Sequence, residues 1–212
     1  MKTILTKASI ILLLTVGLGR SQGFVNLDFE DAVIDLSGSY QNFITNAFPG
    51  WTVNALYVMY NDISLSGSSI SIIDTNSSWP PIQEKYFALL ASANYPPTAT
   101  TISLGQIVTI PLWAQSITFW GSIGGMQVTF DGNPLLFSAI GSGSNYTIYG
   151  ADISAYANQT GELLFALPPY VANATLDNIQ FSSTPVPEPG IGGLLTLGGL
   201  LLGWRRWRKS IV

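Results

Sequence analysis

Asp and Glu are the most numerous ionisable side chains in this chain, and they lack the His and Cys partners that are usual in enzymatic catalysis. The 212 residues include 12 Asp and Glu but no His and no Cys. A Ser-His-Asp or Cys-His nucleophile and a His-based metal site are therefore excluded. A glycosidase needs only two carboxylates, yet no spacing among these acids selects a pair. The composition predicts a protein that is not an enzyme.

Aromatic side chains in proline-containing loops could instead bind sugars. Trp79 lies in the polar, proline-containing stretch 76–81, and Tyr95 directly precedes two prolines. An aromatic ring offers a flat apolar face on which a sugar ring can stack. We therefore predict Trp79 and Tyr95 as glycan contacts, the alternative being that each only packs its own loop. Trp51 and Trp120 stand in strand-like contexts and are predicted to be core residues.

The distribution of charge separates the two ends of the chain from its body. Residues 24–187 contain a single cation, Lys85, against 11 carboxylates, which gives a net charge near −10 by subtraction. A body with one cation has no electrostatic footprint for nucleic acid or for anionic lipid headgroups. Without cysteine it has no disulfides, so its fold depends on a hydrophobic core.

The N-terminal segment is typical of a secretory signal peptide. Lys2 and Lys7 precede the apolar stretch 8–18, and the small residues Ser21 and Gly23 follow it. This order of charge, apolar core and small residues predicts cleavage between Gly23 and Phe24. The first 23 residues are then a targeting segment, and the chain is exported.

The C-terminal segment is typical of a short membrane span. Residues 191–204 carry no charge, and the cations that follow are Arg205, Arg206, Arg208 and Lys209. Fourteen helical residues reach about 21 Å, and arginines that snorkel to the headgroups bring the span close to a hydrocarbon core of about 30 Å. The terminal cations predict a cytoplasmic C-terminus. The alternative for such a short apolar run is a buried core helix.

Three features in order give this segment a family resemblance. The motif Val186, Pro187, Glu188 and Pro189, the apolar segment and the basic cluster together resemble the PEP-CTERM sorting signal of bacteria that secrete extracellular polysaccharide. The resemblance implies that the integral membrane protease exosortase recognises residues 183–212 and cuts near the motif. It further implies an inner-membrane intermediate, after which the body is released or attached at the cell surface.

The body, residues 24–182, is predicted to be all-β. Short runs rich in β-branched and aromatic residues alternate with glycine- and serine-containing turns, as in 53–60, 116–120 and 135–140. The Asp131-Gly132-Asn133 turn is the strongest hairpin signal. No amphipathic helix is predicted, although 150–158 has room for a single turn. This pattern favours one β-sandwich, arranged as a jelly roll.

The two ends of the body resemble jelly-roll modules of the galactose-binding-like, carbohydrate-binding type. The resemblance rests on Asn26 to Glu30, on Gly50-Trp51, and on the stretch from Leu176 to Phe181. It implies an opening strand at 26–30 that lies beside the last strand, and a structural calcium held by Glu30 and Asp177. Carboxylate oxygens suit Ca²⁺. The alternative is that both carboxylates stand at strand ends in solvent.

The sequence thus predicts an exported, non-enzymatic protein of the cell surface or extracellular matrix, which exosortase processes at its C-terminus. The alternative is a carbohydrate-binding module that recognises a polysaccharide. Structural Ca²⁺ is the one cofactor that the sequence suggests, and nucleic acid is not an expected partner.

Overall fold

The structure, a computed structural model, describes residues 23–35, 37, 40–62, 68–92, 100–171 and 173–186. Over these residues the chain forms two β-sheets and one short α-helix, α1 (Tyr40–Ala47). The predicted signal segment before Gly23 and the predicted span at 191–204 both lie outside the described residues. Within the described residues, no helix is long and apolar enough to cross a membrane.

The first sheet has five strands. In spatial order they are β1 (Thr52–Asn54), β5 (Ile102–Thr109), β11 (Thr160–Leu167), β7 (Gln127–Phe130) and β8 (Asn133–Pro134). All neighbouring pairs are antiparallel, and β5 pairs with β11 over its full length, from Ile102 opposite Leu167 to Thr109 opposite Thr160. In β11 the inward positions are the apolar ones, so one face of the sheet is buried.

The second sheet has seven strands. In spatial order they are β2 (Tyr57–Tyr60), β3 (Ser69–Asp74), β4 (Tyr86–Ala91), β12 (Asn173–Ser182), β6 (Ser116–Gly121), β10 (Thr147–Asp152) and β9 (Phe137–Ser142). The β2–β3 pair is parallel and the other pairs are antiparallel. The last strand, β12, is central in this sheet, and its pairing with β6 is interrupted by a bulge between Asp177 and Gln180.

The main core fills the space between the two sheets. Leu104, Phe165 and Val128 face it from the five-stranded sheet, and Ile72 and Phe119 face it from the seven-stranded sheet. Helix α1 adds Phe43 and Ala47, four residues apart and so on the same helix face. Because apolar side chains from both sheets meet in one cluster, the predicted all-β sandwich is confirmed.

Three local predictions were wrong. The stretch 53–60 is not one strand: β1 and β2 lie in different sheets, with the half-exposed Leu56 between them. The stretch 135–140 is likewise divided, because Leu135 continues beside β7 whereas β9 joins the other sheet. Helix α1 was not predicted at all. In each case the choice depends on which sheet the side chains pack against, which local pattern does not specify.

Two other local predictions were confirmed. Asp131 and Gly132 join β7 to β8 with φ of 48° and 77°, the positive values that a two-residue type I′ turn requires. The single helical turn expected within 150–158 is a 3₁₀-helix at Ser154–Tyr156. The hairpin prediction succeeded because Asp-Gly specifies this turn without help from the rest of the fold.

Candidate functional site

The first residues of the predicted body lie next to its last strand. The ring of Phe24 lies 4.3 Å from the ring of Phe181, centroid to centroid, and the N–H of Ile179 donates to the carbonyl of Leu27 at 3.0 Å. The start of the predicted body therefore lies beside β12. The segment 26–30 is not the predicted opening strand, because it is a series of turns with Asn26 and Phe29 at positive φ. The first strand, β1, also lies in the other sheet from β12.

Of the predicted sorting residues, the structure describes Val186. It is half-buried, and its Cγ2 would lie 3.2 Å from a Cβ placed on Gly150 of β10. The segment before it is anchored to β6 by two bonds, from Gln115 N–H to Ser182 O at 2.8 Å and from Ser116 Oγ to Thr184 O at 2.7 Å. Pro187, Glu188, Pro189 and the four terminal cations lie outside the described residues, as does Tyr95.

Glu30 and Asp177 both bind the short segment between Ile82 and β4. Glu30 Oε1 accepts hydrogen bonds from the backbone N–H groups of Lys85 and Tyr86, each at 2.8 Å. Asp177 Oδ2 accepts from the N–H of Gln83 at 3.1 Å, and its Oδ1 accepts from Asn178 at 2.7 Å. The two predicted calcium ligands are thus on opposite ends of one four-residue segment, which brings them to the same region.

Turn geometry on both sides positions these carboxylates. The indole N–H of Trp51 donates to Asn26 O at 2.9 Å, and its ring stacks on Phe29 at 5.5 Å. This holds the 26–31 turn against the core, with Glu30 directed at the segment before β4. On the other side, Asn178 has a φ of 44° within the β12 bulge. The bulge interrupts the strand pairing next to Asp177.

Asp177 is electrostatically unusual. Its side chain has no solvent exposure. Burial raises the pKa of Asp177 to about 8, against the effect of its two backbone hydrogen bonds, and the charges of Glu30 and Asp28 raise it further. The cation Lys85 places its ammonium over the Tyr86 ring, 4.5 Å from the centroid. The solvent-exposed alternative for Asp177 is therefore wrong, and a neutral carboxyl or a counter-charge is required.

Gln83 carries a buried side-chain oxygen that has no partner. Among the buried side-chain atoms of the described residues, Gln83 Oε1 is the one without a hydrogen bond. Gln83 is also the residue whose N–H binds Asp177. Ca²⁺ binds oxygen ligands of the kind that this region offers. They are the unpaired amide oxygen of Gln83, the buried carboxyl of Asp177 and the carboxylate of Glu30. The described residues hold no group of three or more His, Cys, Asp or Glu side chains that could bind a metal. A cation would thus depend on amide and backbone oxygens as well.

A second cluster lies on the outer face of the seven-stranded sheet. Trp79, Trp120 and Tyr146 are half-buried and pack on a small apolar group formed by Ile73, Ile82, Phe87 and Leu89. The rings of Trp120 and Tyr146 are stacked with centroids 4.7 Å apart and planes 6° apart. We call Trp79, Trp120 and Tyr146 the aromatic shelf. Trp120 was predicted to be a core residue, and it instead faces outward.

Two polar networks hold the loops of the aromatic shelf. Asp74 accepts from Tyr60 Oη at 2.7 Å, from Asn61 Nδ2 at 2.7 Å and from the N–H of Asn76 at 2.8 Å, which fixes the start of the loop that carries Trp79. Burial alone would raise the pKa of Asp74, but these bonds lower it overall. Asn145 Nδ2 donates to the carbonyls of Pro80 and Pro81 at 3.1 and 2.9 Å. This joins the Tyr146 turn to the Trp79 loop.

The remaining tryptophans differ in environment. Trp51 is buried in the main core, as predicted. Trp113 is 56% exposed in the turn between β5 and β6. The outward direction of Trp120 could have been found from the alternation in β6, where Ile117 and Phe119 are the inward positions. The stacking partner Tyr146 could not, since it lies in the connection before β10, 26 positions along the chain.

Comparison with known proteins gives little further guidance. The sequence matches no protein-family model and no curated protein. The enzymatically active domain of tailspike protein 4 from bacteriophage CBA120 is similar over 63% of this chain, at 13% identity and a TM-score of 0.38, and this chain spans only 19% of that one. TmCBM61, solved in complex with β-1,4-galactotriose, is similar over 76% of this chain and 99% of its own length, at 13% identity and a TM-score of 0.40. Both scores lie below the level at which a shared fold is established, so the sandwich assignment rests on the strand pairing and core.

Proposed function

We propose that this chain is an exported, non-enzymatic protein of the cell surface or extracellular matrix. A signal peptide delivers it, exosortase cuts it near Pro187-Glu188-Pro189, and it passes through an inner-membrane intermediate. The observation that supports the proposal is the contact between the start of the predicted body and its last strand. Among the described residues, the main core and the side chains packed on it run from Phe24 to Phe181, and those two rings are in contact. Both proposed cuts lie outside this range.

The test is intact mass spectrometry of the protein recovered by fraction from cells that make it. We expect a species that begins near Phe24, ends between Val186 and Gly190, and is found outside the inner membrane. Extra mass at its C-terminus would identify what it is attached to. A main species that keeps residues 205–212 in the membrane would mean that the tail is a permanent anchor, and the exosortase proposal would fail.

A second proposed function is recognition of a polysaccharide by the aromatic shelf. Trp79, Trp120 and Tyr146 are half-exposed aromatic side chains on one sheet face, in a body with a net charge near −10 and one cation. A neutral or hydroxyl-rich ligand suits such a surface better than a polyanion does. The jelly-roll arrangement and Tyr95 as a further contact belong to this proposal.

Tryptophan fluorescence tests the second function. A panel of neutral oligosaccharides is titrated into the wild type, into Trp79→Ala and Trp120→Ala, and into Trp113→Ala as a matched exposed tryptophan away from the shelf. We expect a saturable change that survives in Trp113→Ala and is lost in the two shelf variants. A response that disappears only in Trp113→Ala, or no response to any neutral glycan, would count against the shelf.

A further inference from the structure

The predicted exit of the chain toward the membrane lies at one definable end of the sandwich. Ser182 at the end of β12 is opposite Ser116, the first residue of β6, and Ser116 is in turn opposite Asp152, the last residue of β10. Thr109 at the end of β5 is opposite Thr160 at the start of β11. The β5–β6 and β10–β11 connections therefore lie at the same end as Ser182. We call this the exit end.

The N-terminal boundary is near the same end. The ring of Phe24 contacts the ring of Phe181, one residue before Ser182, at a tilt of 35°. The side chain of Gln106 in β5 binds Val25 on both sides, with Nε2 to Val25 O at 2.6 Å and Val25 N to Oε1 at 3.3 Å. The chain then runs from Phe24 toward Leu27 beside β12. The first residues of the predicted body and the last residues of β12 thus lie toward the same end.

The exit end exposes two large apolar side chains. Pro111 to Ala114 form a tight turn, closed by a 2.9 Å bond from Ala114 N–H to Pro111 O. At its tip Leu112 is 75% exposed and Trp113 is 56% exposed. The turn is followed directly by Gln115, whose N–H binds Ser182 O. Residues 107–118 contain no charged side chain. Exposed leucine and tryptophan at a turn tip are unfavourable in water but suit a membrane interface.

The distance to the membrane is short. Only residues 187–190 separate Val186 from the apolar segment that begins at Ile191. Five Cα steps span at most about 17 Å when fully extended, and the headgroup layer itself adds about 5–7 Å on each side of the hydrocarbon core. While residues 191–204 are in a bilayer, the exit end cannot move far from its surface.

We infer that the Pro111–Ala114 turn is a membrane-contacting site, at which Leu112 and Trp113 insert into the interfacial layer of the bilayer that holds the C-terminal segment. The inference rests on the membrane-held intermediate of the proposed function. Exposed carboxylates at Asp131 and Asp152 lie toward the same end, so the contact is apolar and does not depend on anionic headgroups. Its consequence is orientation: the exit end of the domain faces the membrane surface, where an integral membrane protease acts.

The absence of cysteine allows a direct test with single labels. Leu112→Cys and Gly124→Cys are made in the full chain, labelled with an environment-sensitive fluorophore and reconstituted in phosphatidylcholine vesicles. Gly124 lies in the β6–β7 connection at the opposite end, and a Cβ there has no neighbour within 4 Å. Thermal melts of both variants check that they fold.

We expect nitroxide groups on the lipid acyl chains to quench the label at 112 severalfold more than the label at 124. Equal quenching in a chain that floats with the vesicles would overturn the inference and leave the membrane-held intermediate intact. A chain that does not float would overturn both. Stronger quenching at 112 on addition of phosphatidylglycerol would show electrostatic adsorption, and label-to-label contact without lipid quenching would show pairing with a second copy. Either result would also overturn the inference.

Discussion

Asp177 is the residue whose environment is least compatible with an ordinary surface carboxylate. It is wholly buried in the bulge of β12, it receives two backbone hydrogen bonds, and Glu30 and Asp28 add negative charge nearby. Taking a carboxylate out of water without a cation is costly, so the group either keeps its proton or acquires a positive partner. Two predictions at this site separate these outcomes.

The first prediction concerns pH in the absence of divalent cations. The pKa of Asp177 is about 8 in the folded protein, against 3.8 as its ordinary value. Between pH 3.8 and pH 8 the Asp177 carboxyl is ionised in the unfolded chain and protonated in the folded protein. The stabilisation that this proton gives the fold is therefore complete below pH 3.8 and decreases as the pH rises toward 8. The slope from this one group is at most about 1.4 kcal/mol per pH unit.

Urea unfolding in chelator at several pH values measures this slope. Asp177→Asn is expected to remove most of it and to be the more stable protein at pH 8. Asp131→Asn is the control, because Asp131 is exposed and asparagine suits its positive φ. A wild type whose stability is flat across this interval would show that Asp177 is ionised in the fold.

The second prediction concerns calcium. If Glu30, Asp177 and Gln83 Oε1 hold a cation, millimolar Ca²⁺ raises the melting temperature of the wild type, and the shift grows with pH because the bound carboxylate must lose its proton. Calorimetry should show this shift reduced in Glu30→Gln and absent in Asp177→Asn. Gln83→Leu is expected to lose the shift without losing the fold, because it removes an unpaired buried oxygen. A wild-type melting temperature that is the same with calcium and with chelator would exclude the site.

At the scale of elements, local sequence determined some features and tertiary packing determined the others. The Asp131-Gly132 turn was predictable because its positive φ values are a property of those residue types. The division of 53–60 between two sheets was not, since both halves have strand-forming residues and only the fold decides where each half pairs. Helix α1 is eight residues long and depends on burial of Phe43 and Ala47 more than on its own propensity.

The segment that leaves β12 is an element that the sequence does not reveal. The segment is held against the sheet: Ser182 O accepts from Gln115 N–H, Thr184 O accepts from Ser116 Oγ, and Val186 packs over Gly150. A Cβ at Gly150 would lie 2.9 Å from Ile140 Cδ1 and 3.2 Å from Val186 Cγ2. Glycine at 150 thus leaves room for the exit segment on the outer face of β10.

The third prediction follows from this contact. Because the chain has no cysteine, Val186→Cys provides a single reporter thiol. In that background Gly150→Leu should displace the side chain at 186 from β10, so a thiol reagent should modify it severalfold faster than with glycine at 150. Gly141→Leu is the matched control on the neighbouring strand β9, where a Cβ approaches only Ile148, at 3.4 Å or more. Peptide mass mapping over a time course gives both rates. Equal acceleration in the two variants would mean that the effect comes from general loosening of the strand pair.

At the scale of the whole molecule, the sequence specified the class of fold but only part of the candidate site. Glu30 and Asp177 were selected by resemblance and are both bound to the segment at 83–86, which no local pattern indicates. Gln83 and Tyr146 were missed because their roles depend on contacts across 94 and about 26 positions of the chain, respectively. Contacts between residues so far apart in the chain are set by the β-sandwich topology, and local sequence patterns do not predict them.

The fourth prediction tests whether the domain is closed by its two ends. Residues 24–186 contain the main core that the described residues form, so this fragment should unfold in one transition at the melting temperature of the longer chain. Ending the fragment at Gln180 removes the Phe181 ring from Phe24 and the Ser182 carbonyl from Gln115. A half-buried aromatic contact and one hydrogen bond are worth about 2–3 kcal/mol, which is a decrease of about 4–10 °C in a domain of this size.

Calorimetry on the two fragments, with a third that ends at Thr184 as the control, separates the last strand from the exit segment. The 24–184 fragment keeps both contacts and should melt within a degree or two of 24–186. If 24–180 melted like the others, contacts between the two ends would not stabilise the domain, and the positions of the two proposed cuts would have no relation to where the fold closes. If 24–186 itself failed to fold, residues beyond Val186 would belong to the domain, and a cut at the motif would destroy the product it is proposed to release.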